Sequence, residues 1–300
     1  MKKLAIVAAM ALATLSVNAQ VAVSGKYSTF VDSTKTGSVR QGTMVVDPTS
    51  NINVTAREDL GGGLGARVVV ETTIGNNNTV DGTANTQLGD RQSTVGLAGK
   101  LGSVDIGRNV HSQFLALTTN DAFGTLYGSV AGDVHNLRGL RYSNGAFVTT
   151  NLGPIAASFD RSNNGAGQAD VSSYSLGAKL GGVSAVAARY ENAAGTEKST
   201  VVGANAKFGS TGVFYSHSDN VSLTAGETKK GDLVGLTQAM GPYTAKVSYG
   251  KTNTDVKAYN AGIDYNLSKR TAVGVAYRVV DRAGTATDVK GMGVGITHLF

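Results

Sequence analysis

No cysteine occurs in the 300 residues, so neither a disulfide nor a cysteine-ligated metal can hold this fold together. Tryptophan is also absent, and three prolines stand against forty glycines. Glycine is a poor helix-interior residue, so this balance suits many short strands and turns. Beyond residue 19 no apolar run approaches the roughly 18 residues of a transmembrane helix. Insertion into lipid is therefore open to this chain only as a closed barrel, which leaves no strand edge unpaired. Charge of one sign is scarce as well. Without Lys2 and Lys3 the 27 basic residues become 25, against 21 acidic, a balance of +4 that does not indicate nucleic-acid binding, which needs basic residues clustered on one face; no nucleic-acid partner is expected.

What is present begins with an export signal. Residues 1–19 carry Lys2 and Lys3, an apolar run from Leu4 to Val17, and Val17-Asn18-Ala19 at the positions a signal peptidase reads. Its apolar core, about 14 residues, is short for a membrane anchor. The domain reading is a signal peptide over 1–19 and one β domain over 20–300.

From Val21 onward apolar and polar residues alternate with period two. Ile52, Val54 and Ala56 oppose Asn51, Asn53, Thr55 and Arg57, and after the Glu58 to Gly63 turn Leu64, Ala66, Val68 and Val70 form the next apolar face. Later segments place Ile155, Ala157 and Phe159 on that face, then Tyr174 and Leu176, Val186, Ala188 and Tyr190, and Val202, Ala204 and Phe208. The clearest cases are Tyr243, Ala245, Val247, Tyr249 and Tyr259, Ala261, Ile263, Tyr265; Met292, Val294, Ile296, His298 and Phe300 close the series. Sixteen such segments alternate short turns with longer polar loops, as in all-β transmembrane antiparallel barrels. The paired tyrosines, six residues or about 20 Å apart along a strand, suit two aromatic girdles. A soluble β-sandwich or glycine-rich solenoid would need larger side chains on the faces that here carry Ala, Gly, Ser, Lys, Arg, Asp and Asn.

One stretch breaks the pattern. Asn109 to Asn136 is about 28 residues long, far beyond ordinary connections of about 4 to 6, yet it carries Phe114, Leu115, Leu117, Phe123, Leu126 and Tyr127. A disordered segment would be poor in aromatics. The reading is a third loop, 109–136, folded inward to narrow the lumen.

Glu58-Asp59-Leu60-Gly61-Gly62-Gly63-Leu64, Arg91-Gln92 with Val95-Gly96-Leu97 and Gly107-Arg108-Asn109, and Tyr265-Asn266-Leu267-Ser268-Lys269-Arg270-Thr271 with His298-Leu299-Phe300 resemble the general diffusion porins of Gram-negative bacteria, most closely the beta-proteobacterial type. The resemblance implies a sixteen-stranded, water-filled channel in the outer membrane, a homotrimer, passing small hydrophilic solutes and ions. It also implies outer-membrane lipid as a neighbour and a terminal Phe300 read by the assembly machinery. The chain departs from it at Asn51, where the family usually has arginine.

In such a channel acidic loop groups oppose basic wall groups across the narrowest point. The loop offers Asp121 and Asp133. Inward-reading positions supply Lys26, Arg57 and Arg67, while Arg91 and Arg108 come from the resemblance, with Glu71 and Asp105 as further acids. Strict alternation places Arg108 with Val104 and Ile106 on the lipid side; a bulge near the strand end would re-aim it inward. The positive balance leads to an expectation of weak anion selectivity. Two alternatives remain: a structural or adhesive barrel, and a barrel hydrolase using His111 beside Ser112. No Gly-x-Ser-x-Gly elbow or His-x-x-x-His pair supports the latter. No cofactor or metal is called for.

Overall fold

The computed structural model describes residues 20–75, 87–124, 126–135, 141–163, 170–222, 227–283 and 287–300. The signal peptide read in residues 1–19 lies outside them, as does Asn136 at the end of the long loop. The wall runs through β1 (Gln20–Thr36), β2 (Val39–Val46), β3 (Asn51–Gly61), β4 (Leu64–Thr73), β5 (Gln92–Gly99) and β6 (Gly102–Val110). After the long loop come β7 (Arg141–Leu152), β8 (Ile155–Ser162), β9 (Val171–Leu180), β10 (Val183–Asn192), β11 (Glu197–Phe208) and β12 (Thr211–Ser222). The remainder is β13 (Glu227–Met240), β14 (Tyr243–Thr252), β15 (Val256–Asn266), β16 (Thr271–Arg282) and β17 (Val289–Leu299).

These make sixteen wall positions, because β2 and β3 are one strand with a break. β2 pairs with the upper half of β1, Thr29↔Val46 to Thr36↔Val39, and β3 with its lower half, Gln20↔Arg57 to Lys26↔Asn51. Asp47-Pro48-Thr49-Ser50 lies between, where proline could not have donated a ladder bond. All neighbours are antiparallel, and β17 returns to β1. The closure ends in two backbone hydrogen bonds, Gly25 N to Phe300 O and Phe300 N to Gly25 O, both 3.0 Å. Gly25 must be glycine: a Cβ there would lie 2.4 Å from Asn51 O and 2.5 Å from the Phe300 ring.

The outward face is the apolar one. Val95, Ile106, Leu176, Val247 and Val294 all stand exposed in the isolated chain, a surface that only lipid or another copy can cover. Tyr243 lies against Tyr265 with centroids 4.9 Å apart, and Tyr249 against Tyr259 at 5.2 Å, so the tyrosines form two levels across β14 and β15. Tight turns mark one end; Gly181 and Gly241, at φ 58° and 59°, take a left-handed conformation that other residues rarely adopt.

In β10 the alternation runs opposite to the sequence reading. Ala188 and Tyr190 are buried inside, and Val186 packs against the same inner cluster, while Ala185, Ala187 and Arg189 face outward. The reason is the long loop: here the inner face is covered by protein rather than water, so the apolar residues serve inside.

Candidate functional site

The site is the lumen and the loop that occupies it. Helix α1 (Ser112–Thr118) begins at His111, whose Nδ1 accepts the amide hydrogen of Phe114 at 3.2 Å, an N-cap contact. The Ser112 amide and hydroxyl both donate to Asp160 Oδ1 (2.9 and 2.6 Å), and Gln113 Nε2 donates to Ser199 Oγ at 2.7 Å. Polar inner positions of β8 to β11 therefore satisfy the helix start, which has no intrahelical partners for its first donors. Leu117 and Ala116 fill the apolar patch of Ala188 and Val201.

Beyond α1 the loop crosses the inner wall. Asn205 Nδ2 donates to Asn120 Oδ1 at 3.0 Å, Phe123 rests on Ala276, and Asn260 Nδ2 donates to Gly128 O at 2.8 Å. The tip is Tyr127. Its ring stacks on Phe30 at 4.0 Å, its hydroxyl donates to Asp32, and its amide donates to Asp47 Oδ2 at 3.1 Å. Burial and the Asp32 carboxylate push the Tyr127 hydroxyl well above its ordinary pKa. Wall glycines make this seat possible: a Cβ at Gly203 would meet Asn120 at 2.4 Å, and one at Gly293 would meet Tyr127 Oη at 1.9 Å.

The return leg is helix α2 (Ala131–His135), with Val130 and Val134 packed into Leu233, Ala258 and Val280. His135 is 1% exposed; Nδ1 and Nε2 bond Ser218 Oγ and Ser216 Oγ at 2.8 and 2.9 Å. Burial, with further contributions from His217 and Lys229, lowers its pKa to about 4. Asn220 Nδ2 donates to His135 O at 2.8 Å, and Lys229 Nζ to Asp133 O at 2.7 Å.

The loop thus lines β8 through β17 and reaches β1, leaving the sector from β3 to β7 facing the passage. The loop edge toward that passage carries Leu115, Thr119 and Leu126, all exposed. Asp121 and Asp133 are not on it. Asp121 is 5% exposed and accepts from the Phe123 amide (3.1 Å) and the Ser129 hydroxyl (2.6 Å). Asp133 forms an ion pair with Arg282 at 2.8 Å. Both carboxylates fasten the loop: Asp121 accepts within a tight turn, and Asp133 ties α2 to Arg282 of β16.

The expected cations divide into groups. Lys26 and Arg91 meet at the β2/β3 break: Lys26 Nζ lies 3.9 Å from Asp47 Oδ1 and bonds Thr49, while Arg91 pairs with Glu71 and donates to Pro48 O at 2.8 Å. Arg67 lies lower in the barrel, bonded to Asp105 (Nε to Oδ1, 2.8 Å) and Ser103. Arg57, opposite Gln20 and Arg67 in register, stands exposed at the short-turn end, away from the loop. Arg108 does not join Lys26. A bulge is present, but β7 carries it: Gly107 faces Gly145 and Asn109 faces Tyr142, with Asn144 at φ 53°. Arg108 pairs in register with Ser93, retaining the outward parity of Val95 and Ile106, and its guanidinium donates to Asp90 O (2.6 Å) and Ser143 Oγ (2.9 Å).

Arg141 escaped the sequence reading. It opens β7 directly after the loop, in the electrostatic field of Arg91 and Glu71, and its buried Nε has no hydrogen-bond partner among the described residues. The sequence signal was only a basic residue where the strand pattern resumes. An inner aromatic group also went unread: Tyr142 stacks on Tyr190 at 6.0 Å, with His111 5.4 Å from Tyr142.

Residues 5–285 match the family model described as Gram-negative porin. Among solved structures, the anion-selective porin from Comamonas acidovorans superposes with a TM-score of 0.78 at 24% identity, covering 94% of this chain and 100% of that one. OmpF of Salmonella typhi, in complex with daunomycin, gives 0.76 at 15% identity over 93% and 97%. OmpT of Vibrio cholerae, in vitro folded and in trimer form, gives 0.71 at 12% identity over 94% and 99%. Among curated proteins no sequence match was found.

Proposed function

The chain belongs to the Gram-negative porin family and forms an outer-membrane channel for passive diffusion, and from that premise we propose that the channel weakly prefers anions. The observation that carries this is the distribution of charge around the open sector. Lys26, Arg67 and Arg91 each have a carboxylate partner, Asp47, Asp105 and Glu71. Arg57 and Arg141 have none within ion-pair distance among the described residues, and the loop edge brings no carboxylate to face them. Asp90, whose carboxylate is bonded to Thr73, acts on Arg141 only at longer range, so the guanidiniums of Arg57 and Arg141 give the passage a locally positive character. At about 0.15 M salt the Debye length is about 8 Å, so this charge is felt in a narrow gap yet partly screened. The Comamonas protein, named anion-selective, supports the same sign.

A channel reading also fits the residues that suggested a hydrolase. His111 caps α1 and Ser112 is bonded to Asp160 and Ser173, so neither is poised as base or nucleophile toward the other. The family, the exposed apolar belt and the trimer form of the Vibrio relative support a homotrimer set in outer-membrane lipid. The deciding experiment is reversal potential in a planar bilayer under a salt gradient. Anion sign at low salt, fading as salt rises, is the expected result; cation sign overturns the selectivity.

A further inference from the structure

We infer that a niche beneath the loop tip is a binding subsite for an aromatic monocarboxylate crossing the lumen. The niche measures about 140 Å³ and lies between the tip and the inner faces of β14 to β17 and β1. Ala272 and Thr297, paired in register near the Ser268 to Arg270 turn, place it on the short-turn side of the tip. Its apolar surface comes from Phe30, Phe123, Leu126 and Tyr127. Small residues on the inner face of β15 and β16 leave the room: a Cβ at Gly262 would lie 3.2 Å from the Phe123 ring, and one at Gly274 would lie 2.5 Å from Asp264 Oδ1. A cavity of about 150 Å³ lined by Leu, Ile and Phe is enough to hold a benzene ring. Three ring-bearing side chains around a space of that size favour a flat aromatic group, which they can meet edge-on or offset-stacked.

The second observation is the charge at the margin of the niche. Lys246 is engaged there, in an ion pair with Asp264 and with its Nζ 5.7 Å from the centre of the Phe123 ring. Lys26 has capacity left. One of its three donors goes to Thr49, and Asp47 Oδ1 lies 3.9 Å away. That carboxylate already accepts the Thr49 amide at 2.8 Å and the Tyr127 amide at 3.1 Å. No other carboxylate lies within ion-pair distance of Lys26 among the described residues. A carboxylate beside Lys26 therefore meets an incompletely compensated ammonium while its ring covers the apolar surface. A small hydrophilic anion would leave that surface against water, and an uncharged ring would do nothing for Lys26. The niche is reached from the passage, since Leu126 belongs both to it and to the exposed loop edge.

The inference rests on the diffusion channel proposed above and names one class of solute for it. Its test uses the full chain in a planar bilayer bathed in potassium chloride, with benzoate, acetate, benzamide or cyclohexanecarboxylate added while the ionic current is recorded. Benzoate should lower the current saturably. Acetate, which has the charge without the ring, and benzamide, which has the ring without the charge, should each require roughly tenfold more. Cyclohexanecarboxylate, of like size without a ring face, should require about threefold more. Lys26→Gln should weaken benzoate roughly tenfold and leave benzamide where it was. Ala272→Leu, which fills the niche from the wall, should remove block by both; Leu126→Ser, a change at an exposed side chain, should weaken both even where the filled variant does not assemble. Acetate as effective as benzoate would overturn the niche, and so would undiminished benzoate block in Leu126→Ser. Benzoate block unchanged in Lys26→Gln would remove the carboxylate's partner, and parity of cyclohexanecarboxylate with benzoate would remove the aromatic class. The reversal potential in chloride alone, taken before any solute is added, reads the ion preference separately: a cation sign there contradicts the selectivity, while benzoate block still decides the niche.

Discussion

Arg91 and Arg108 both follow from the same family-like motif, yet the barrel gives them different surroundings. Arg91 turns to the β2/β3 break beside Lys26, whereas Arg108 keeps its outward parity and ties strand tips together. Arg91→Ala and Arg141→Ala should each move the reversal potential toward cations at low salt and progressively less at high salt. Arg108→Ala should leave the potential unchanged but lower heat stability by about 1–3 kcal/mol through the loss of charge-assisted hydrogen bonds. A selectivity change in Arg108→Ala, matching that of Arg91→Ala, would return it to the constriction. Inward parity made Lys26, Arg57 and Arg67 legible. The division between partnered and unpartnered cations was not, because ion pairing depends on which strands become neighbours.

At the scale of elements, the loop is held by anchors spread around the wall. One of them, His135, senses pH. Its docked value, about 4, lies below the 6.5 of a free imidazole. Protonation therefore favours the released loop: the contribution of His135 to docking is present in full above pH 6.5, is lost as pH falls from 6.5 toward 4, and changes no further below that. The slope across the window is about 1.4 kcal/mol per pH unit at most. Channel noise or protease cleavage within the loop should rise over that range, and His135→Asn should remove most of the pH dependence. A wild-type loop equally protected at pH 7.5 and 4.5 contradicts this. The tip gives a steric counterpart. Gly293→Val places carbon where Tyr127 Oη now lies, so the tip should leave the wall and enter the passage, lowering mean conductance. Unchanged conductance would mean that Tyr127 is not seated there.

For the whole molecule, closure between β1 and β17 removes both strand edges, and everything inside depends on it. Deleting Phe300 removes two backbone bonds to Gly25 and the ring that covers it. The outer-membrane level of the truncated protein should fall far below that of a variant at an exposed loop residue such as Lys230→Ala, measured by membrane fractionation. Gly25→Val should reproduce the defect. The assembled protein should migrate as a heat-modifiable trimer, dissociating on boiling; a band at monomer size without heating would show that the exposed apolar belt is covered by lipid alone.

The sequence by itself determined the barrel: period-two alternation, glycine-rich turns and the lack of any helix-length apolar run leave one way for such a chain to enter a membrane. It also marked the long loop, since apolar residues in a connection of that length must be packed against something. Tertiary structure decided where each charge points. Asp121 and Asp133 read as pore acids until the fold supplied hydrogen-bond donors that they satisfy, and Val186 and Ala188 read as lipid-facing until α1 covered the inner wall. Alternation assigns a face to a residue, but what lies opposite that face is fixed only when distant segments of the chain meet.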